Sequence, residues 1–512
     1  MWPWVAHSSA RPLPADPTEM PDRNDASLGS RIVRGLAWKV GSEAFGQVFR
    51  IVVAVMLARL LAPDDYGLAA MVLVLTSLVP IFADLALGAA LVQRKDLTED
   101  DRSTVFWTSV VAGVVFTTAG LLAAGAIADF YGEAQVEPLF MALSLTFLVS
   151  SLGTTQAALL TREMDFRSLE LRVMAGSLVG GVIGVAVAAA GGGAWALIAQ
   201  ELAFVTVSTV LLWIFSPWRP SLRFSGKSIR ELGSFSGQIF GTRLLFYANR
   251  NVDNILIGRF LGAPALGAYA LAYNVMLSPL SRLAWPIQTV FFPAFASIQD
   301  DRDRMARMWL RVNRMVAAVT VPAMVGLVVV APEFVHIVLG DRWSSAVPVI
   351  QILAVVGLLQ SLQSLNSSIL QATGRAGILL WYAFVALALS LIGFAGGLHW
   401  GIVGVAAGYA VASVFIESYY TLLTARALEL SVRNVLRNYA GVTQATAGML
   451  VCVLAVDAIL PSVGDAPRLA IVVLAGVGTY ALFCLWRAPE VVAEVRSLRR
   501  RRARAEAVPG TP

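Results

Sequence analysis

The chain has 512 residues, 57% of them hydrophobic and only 14% charged, with a mean hydropathy of +0.71. These values exclude a soluble globular domain and describe a polytopic membrane protein. The net charge of +6 does not mark a nucleic-acid binder, because the basic residues are spread over short segments between apolar runs.

Residues 1–35 read as a disordered or amphipathic cytoplasmic segment. Positions 1–28 are rich in Pro, Asp, Ser and Ala, with no apolar run long enough for a signal-peptide core, and Met20 offers an alternative start. Beyond them, apolar runs of about 20 residues are long enough to cross the hydrocarbon core. There are about fourteen, at roughly 36–60, 66–92, 104–128, 138–160, 172–191, 194–216, 234–258, 266–294, 312–331, 347–370, 378–397, 400–425, 440–460 and 468–487. The seventh and eighth are the least hydrophobic. Pro80, Pro279, Pro286, Pro293 and Pro322 fall within spans, where they kink or interrupt helices, so the eighth span is the candidate bending element.

The first span has a partner. Gly41, Arg50, Val52, Arg59, Leu61, Gly67 and Ala70 recur 200 residues later as Gly241, Arg250, Val252, Arg259, Leu261, Gly267 and Ala270. Chance would give roughly two or three identities over such a stretch. Lys39, Glu43, Gln47 and Arg50, at steps of four, four and three, share one helical face, as do Arg243, Tyr247, Arg250 and Asn254, at steps of four, three and four. A charge at the bilayer centre costs about 3 kcal/mol. Such faces therefore turn to a protein interior or to a cavity lined by both halves; near helix ends the alternative is snorkelling to the headgroups.

The repeat extends further. QAALLTR (Gln156 to Arg162) parallels NSSILQATGR (Asn366 to Arg375), and GGGAWALIA (Gly191 to Ala199) parallels HWGIVGVAA (His399 to Ala407). The expected fold is all-α and polytopic: two pseudo-symmetric six-helix lobes, 36–231 and 232–430, plus two C-terminal helices in 431–490 that look like an appendage. Their expected relation is an axis along the membrane normal. A basic tail, 491–512, follows. Arginines concentrate after even-numbered spans, which places both termini in the cytoplasm. The glycine-rich stretch GSLVGGVIGVAVAAAGGG (Gly176 to Gly193) suits close helix packing.

No motif supports an enzyme. His7, His336 and His399 lack metal-ligand spacing, Cys452 and Cys484 lie in apolar spans, and no phosphate-cradling loop is present. Asp64 and Asp65 read as a solvated turn. What remains is a cationic interior: Arg50, Arg243 and Arg250, with Lys39 and Arg282 nearby, can hold an anion, phosphate in particular. Gln47, Tyr247, Asn254 and Asn274 can hydrogen-bond sugar hydroxyls, or else neighbouring helices. Glu43, Asp84 and Asp253 can carry protons or a coupling cation; for Glu43 and Asp253, pairing with arginines of the same stripe is the alternative.

FADLALGAALVQRKDLTEDDRSTVFW (Phe82 to Trp107) and LAYNVMLSPLSRLAWPIQTVFFPAFASIQDD (Leu271 to Asp301), with ARLLAPDDYGL, VVGLLQSL and LQATGR, closely resemble segments of Wzx-type polysaccharide exporters. The nearest subgroup is the colanic-acid exporter-like flippases, within the multidrug/oligosaccharidyl-lipid/polysaccharide superfamily. The resemblance covers roughly residues 30–430. It implies a V-shaped pair of lobes working by alternating access in the bacterial cytoplasmic membrane. The implied cargo is an undecaprenyl-diphosphate-linked oligosaccharide, with membrane lipids and a polysaccharide polymerase or export assembly as partners and no cofactor. A peptidoglycan lipid-precursor flippase, a cation-coupled multidrug antiporter and a membrane enzyme acting on the polymer stay open as alternatives.

Overall fold

The structure is a computed structural model that describes residues 46–76, 96–226, 247–460 and 464–494, with a few isolated positions between and beyond them. Among these residues there is no strand. The first half contributes α1 (46–60), α2 (Pro63–Thr76), α3 (Glu99–Tyr131), α4 (Val136–Arg162), α5 (Phe166–Ala189) and α6 (Trp195–Phe215). The second contributes α7 (247–261), α8 (Ala263–Ala296), α9 (Arg302–Phe334), α10 (Ala346–Leu362), α11 (Asn366–Ala372), α12 (Ala376–Gly397) and α13 (Gly401–Ala427). Two more helices, α14 (Val432–Ile459) and α15 (Asp465–Arg487), follow.

Nine segments among the described residues are long and apolar enough to cross a membrane. The eighth helix is not one of them, in keeping with its low hydropathy. Large apolar side chains such as Leu122, Ile214 and Leu474 point outward, where lipid replaces the partners a soluble protein would supply.

Local sequence explains the boundaries. Thr98 and Asp101 close a capping box at the start of α3, and the helix ends at Gly132, whose φ of 76° suits a residue without Cβ. Asp64 and Asp65, expected in a solvated turn, instead occupy the first turn of α2, where carboxylates complement the helix dipole. Backbone helix runs on through Pro279, Pro286 and Pro293, so these prolines do not interrupt α8. The expected tenth span is broken: α10 ends at Leu362 and α11 begins at Asn366. Gln363 in the break bonds Thr421 of α13, and Asn366 takes the Trp309 indole N–H at 3.2 Å.

The halves repeat. Pro63 and Ala263 begin helices 200 positions apart, and Val136 with Ala346 and Phe166 with Ala376 do so 210 apart. Small residues bring helices together within each half. Gly113 lies against Ser151 between α3 and α4, and Gly393 against Gly408 between α12 and α13.

The halves meet where α2 crosses α8. A Cβ on Gly67 would lie 1.7 Å from the Ala263 carbonyl oxygen, and one on Gly267 would lie 1.9 Å from that of Pro63. Because 67 meets 263 while 267 meets 63, the contact is reciprocal, the signature of a two-fold relation. The sequence repeat is thus a physical pseudo-symmetry, and its glycines are where two backbones touch. Ala69, Met71, Val72, Ala268, Tyr269 and Ala272 around this crossing are fully buried. The two final helices are not an appendage: α14 and α15 pack on α9, where Tyr480 donates to the Ala318 carbonyl at 2.7 Å.

Candidate substrate cavity

A cavity of about 1160 Å³ opens beside the seam. Its polar lining residues are few. Gln47 and Arg50 come from α1, Arg250 from α7, and Asn274 and Ser278 from α8. The i, i+3 spacing of Gln47 and Arg50 puts them on one face, where Arg50 donates to the Gln47 amide oxygen at 2.8 Å. The two arginines are repeat partners, so the pseudo-two-fold delivers one guanidinium from each half.

The remaining wall is apolar. Val319, Pro322, Leu327 and Val330 of α9 contribute, with Met449 and Val453 of α14 and Val472, Gly476 and Val477 of α15. Among the described residues no acidic side chain lines this cavity. A space lined by guanidinium forks and amides together with a larger extent of hydrocarbon has the chemistry of an amphipathic anion.

The other expected site residues are distributed as follows. Tyr247 donates its hydroxyl to the Val74 carbonyl of α2 and so ties the halves together. Asp253 is buried in the core, accepting from the Tyr269 hydroxyl at 3.1 Å and from the Asn254 backbone N–H at 2.8 Å. Asn254, half-buried beside it, has a side-chain oxygen without a hydrogen-bond donor. Lys39, Glu43, Asp84 and Arg243 lie outside the described residues. Arg282 lies on α8, with its side chain outside that description.

Sequence reasoning missed the wall formed by α14 and α15. Apolar residues that face a cavity and those that face lipid carry the same sequence signal, so nothing in 431–490 marked it. It also missed the closed end of the seam. The fully buried Trp343 donates its indole N–H to the Ala58 carbonyl at 2.8 Å, with its ring edge-on to Tyr66 at 5.1 Å. Arg59 reaches from α1 to the carbonyls of Ile337 and Val338, while its repeat partner Arg259 lies 5.6 Å over the Phe130 ring of α3.

Comparison with known proteins agrees with this architecture. The chain matches a family model described as polysaccharide biosynthesis protein over residues 56–348. It is 30% identical over 405 residues to the lipopolysaccharide biosynthesis protein WzxC of Escherichia coli, covering 78% of this chain and 82% of that one. It is likewise 30% identical over 395 residues to the teichuronic acid biosynthesis protein TuaB of Bacillus subtilis, covering 76% and 81%. Among solved structures, the inward closed conformation of the lipid II flippase MurJ superposes with a TM-score of 0.74 at 15% identity, covering 88% of this chain and 98% of that one. An inward-facing multidrug resistance transporter of the MATE family gives 0.61 at 13% identity, covering 76% and 96%. These two show the fold. This multi-pass bacterial membrane protein belongs to the polysaccharide biosynthesis protein family and is a transporter of the Wzx type rather than an enzyme that builds the polymer.

Proposed function

We propose that the protein flips an undecaprenyl-diphosphate-linked oligosaccharide from the cytoplasmic to the outer leaflet, by alternating access of the two lobes. One observation carries this reading: repeat-related Arg50 and Arg250 share a cavity whose wall, apart from Gln47, Asn274, Ser278 and Tyr480, is hydrocarbon. A purely polar cargo has no use for that wall, and a neutral lipid has no use for the arginines. A diphosphate joined to a long prenyl chain uses both, the forks taking phosphate oxygens while the chain lies along α9, α14 and α15. Gln47 and Asn274 are placed for the first sugars, and Lys39, Arg243 and Arg282 belong to the same proposed group.

Both termini are assigned to the cytoplasm. Arg302, Arg304, Arg307 and Arg311 cluster at the start of α9 and Arg426 ends α13, on one side of the bundle. In that orientation the Gly67/Gly267 seam, with Trp343 and Arg59, closes the outer end, and the cavity belongs to an inward-facing state. Division into lobes 36–231 and 232–430, with 431–490 walling the cavity, follows the helix repeat. A peptidoglycan precursor offers the same diphosphate lipid, but the relatives that carry the family assignment are named for surface polysaccharides. An antiporter for cationic drugs favours acids in the cavity wall, contrary to the lining described above.

The test is deletion of the gene followed by extraction of undecaprenyl-linked glycans from spheroplasts and assay of their sidedness. The expected result is a defined oligosaccharide accumulating on the cytoplasmic leaflet together with loss of a surface polymer. An unchanged lipid-linked pool overturns the assignment, and lysis with peptidoglycan-precursor accumulation transfers it to the rival flippase.

A further inference from the structure

The outer end of α9 does not finish as an ordinary helix. Val335–Leu339 form a π-helical turn closed by the Gly340 N–H on the Val335 carbonyl at 2.8 Å. Single π turns are frequent at functional sites. Two things meet on this one. The carbonyls of Ile337 and Val338, left without partners at a helix C-terminus, receive the Arg59 guanidinium from the other lobe. On the same turn His336 stands between two carboxylates from different elements, with Nδ1 on Asp341 and Nε2 3.3 Å from Asp465 at the start of α15.

We propose that His336 is a proton-binding site of the outer gate, whose occupancy strengthens the seat on which Arg59 holds the lobes together. This rests on the orientation given above, which puts the turn outside. Neutral imidazole donates from one ring nitrogen only, so one of the two carboxylates then faces a lone pair; imidazolium donates to both. Its charge also falls at the C-terminal end of α9, where cations are favoured. Proton binding thus pins the loop carrying Asp341 and the start of α15 to the π turn.

The other charged groups nearby are accounted for. Glu333, one turn back on α9, pairs with Arg468 of α15 at 3.6 Å, and Arg468 is held by Asp457 of α14 at 2.8 Å. Arg342 follows Asp341 in the loop, and Arg59 faces the carbonyls rather than the imidazole. Arg468 thereby holds Glu333 and Asp457 and also sets positive charge near Asp465, while Asp341 and Asp465 are the carboxylates in contact with the histidine. Acid outside the cell then holds the outer gate shut, and rising outer pH loosens it.

Opening of the outer gate is read by thiol labelling, independently of transport. The full-length protein carries Asn274→Cys as reporter, with Cys452→Ser and Cys484→Ser, and a membrane-impermeant maleimide is applied to spheroplasts at pH 6 and pH 8. Comparing His336→Gln with its parent at each pH cancels the thiol's own reactivity. His336→Gln should label about two- to fivefold faster than the parent at pH 6 and at the same rate at pH 8. Asp465→Asn should reproduce this, whereas Arg59→Ala should label faster at both values. Equal rates for His336→Gln and parent at pH 6, or the same acceleration at both pH values, overturn the proposal. An epitope near residue 2, reached only after permeabilisation, reports the orientation separately.

Discussion

At the α2/α8 crossing Gly67 meets Ala263 and Gly267 meets Pro63, so each half gives what it receives. In the cavity Arg50 and Arg250 keep that correspondence, but the wall around them comes mostly from α8, α9, α14 and α15. The pair Arg59 and Arg259 lies between these cases, since both reach across the lobes, one to carbonyls and one to an aromatic ring. On the proposed function, symmetry is kept where the two lobes would rock about a common line of contact, and it is abandoned where a chemically lopsided cargo would be held. A two-fold site would present two equal faces, whereas a diphosphate lipid has one charged end and one long apolar one.

Substitutions at the crossing should have the largest effect. Gly67→Ala and Gly267→Ala each place a methyl group inside a backbone carbonyl contact, where overpacking costs about 3 kcal/mol or more. Each should lower the folded yield and the melting temperature in detergent, while Gly478→Ala, with open space at its Cβ, should not. Unchanged melting for the first two breaks the claim that the backbones touch there.

Next come the arginines. Arg50→Ala and Arg250→Ala should each reduce export about 10-fold or more, as loss of a charge-assisted hydrogen bond predicts, with membrane abundance unchanged. Arg250→Lys should recover only part of it, because the ammonium lacks the fork. If one arginine matters and its partner does not, the correspondence fails at the charged end too.

The apolar wall gives a smaller, sharper test. Val477→Thr adds a hydroxyl to the α15 wall at a residue 65% exposed, with little change in shape, and desolvating it under the cargo costs about 1–2 kcal/mol. Export at limiting cargo should fall several-fold, without loss of melting temperature. The smallest effect belongs to the tail. Truncation after Ala493 removes Glu494, which lies 3.5 Å from Arg311, and spares the Arg314–Glu490 pair at 2.7 Å. Abundance by immunoblot should drop modestly, and transport per molecule should change less.

Much of this frame was legible in the residues. The 200-residue recurrence picked out the two glycines, the cavity arginines and the outer pair together, because a repeated fold must place each at the same point of its lobe. What each pair does was not legible. Asp64 and Asp65 read as a solvated turn because, with Pro63, they are turn formers as well as a good helix first turn. Gln47, Arg50, Arg250 and Asn274 were found because polarity in an apolar span is conspicuous. The same rule also selected Asp253, which the fold holds in the core, and Tyr247, which fastens α7 to α2. The wall of α14 and α15 gave no signal, and neither did the π turn at Val335–Leu339, whose carbonyls receive Arg59 of the other lobe.

The central claim is that the paired arginines hold the anionic end of a lipid-linked cargo. It is tested most directly in a strain whose sole copy carries both Arg50→Ala and Arg250→Ala, by measuring the leaflet distribution of undecaprenyl-linked oligosaccharide in spheroplasts. The account predicts a complete oligosaccharide retained on the cytoplasmic leaflet, with the protein at normal abundance in the membrane. A normal outer-leaflet pool in that strain would contradict it.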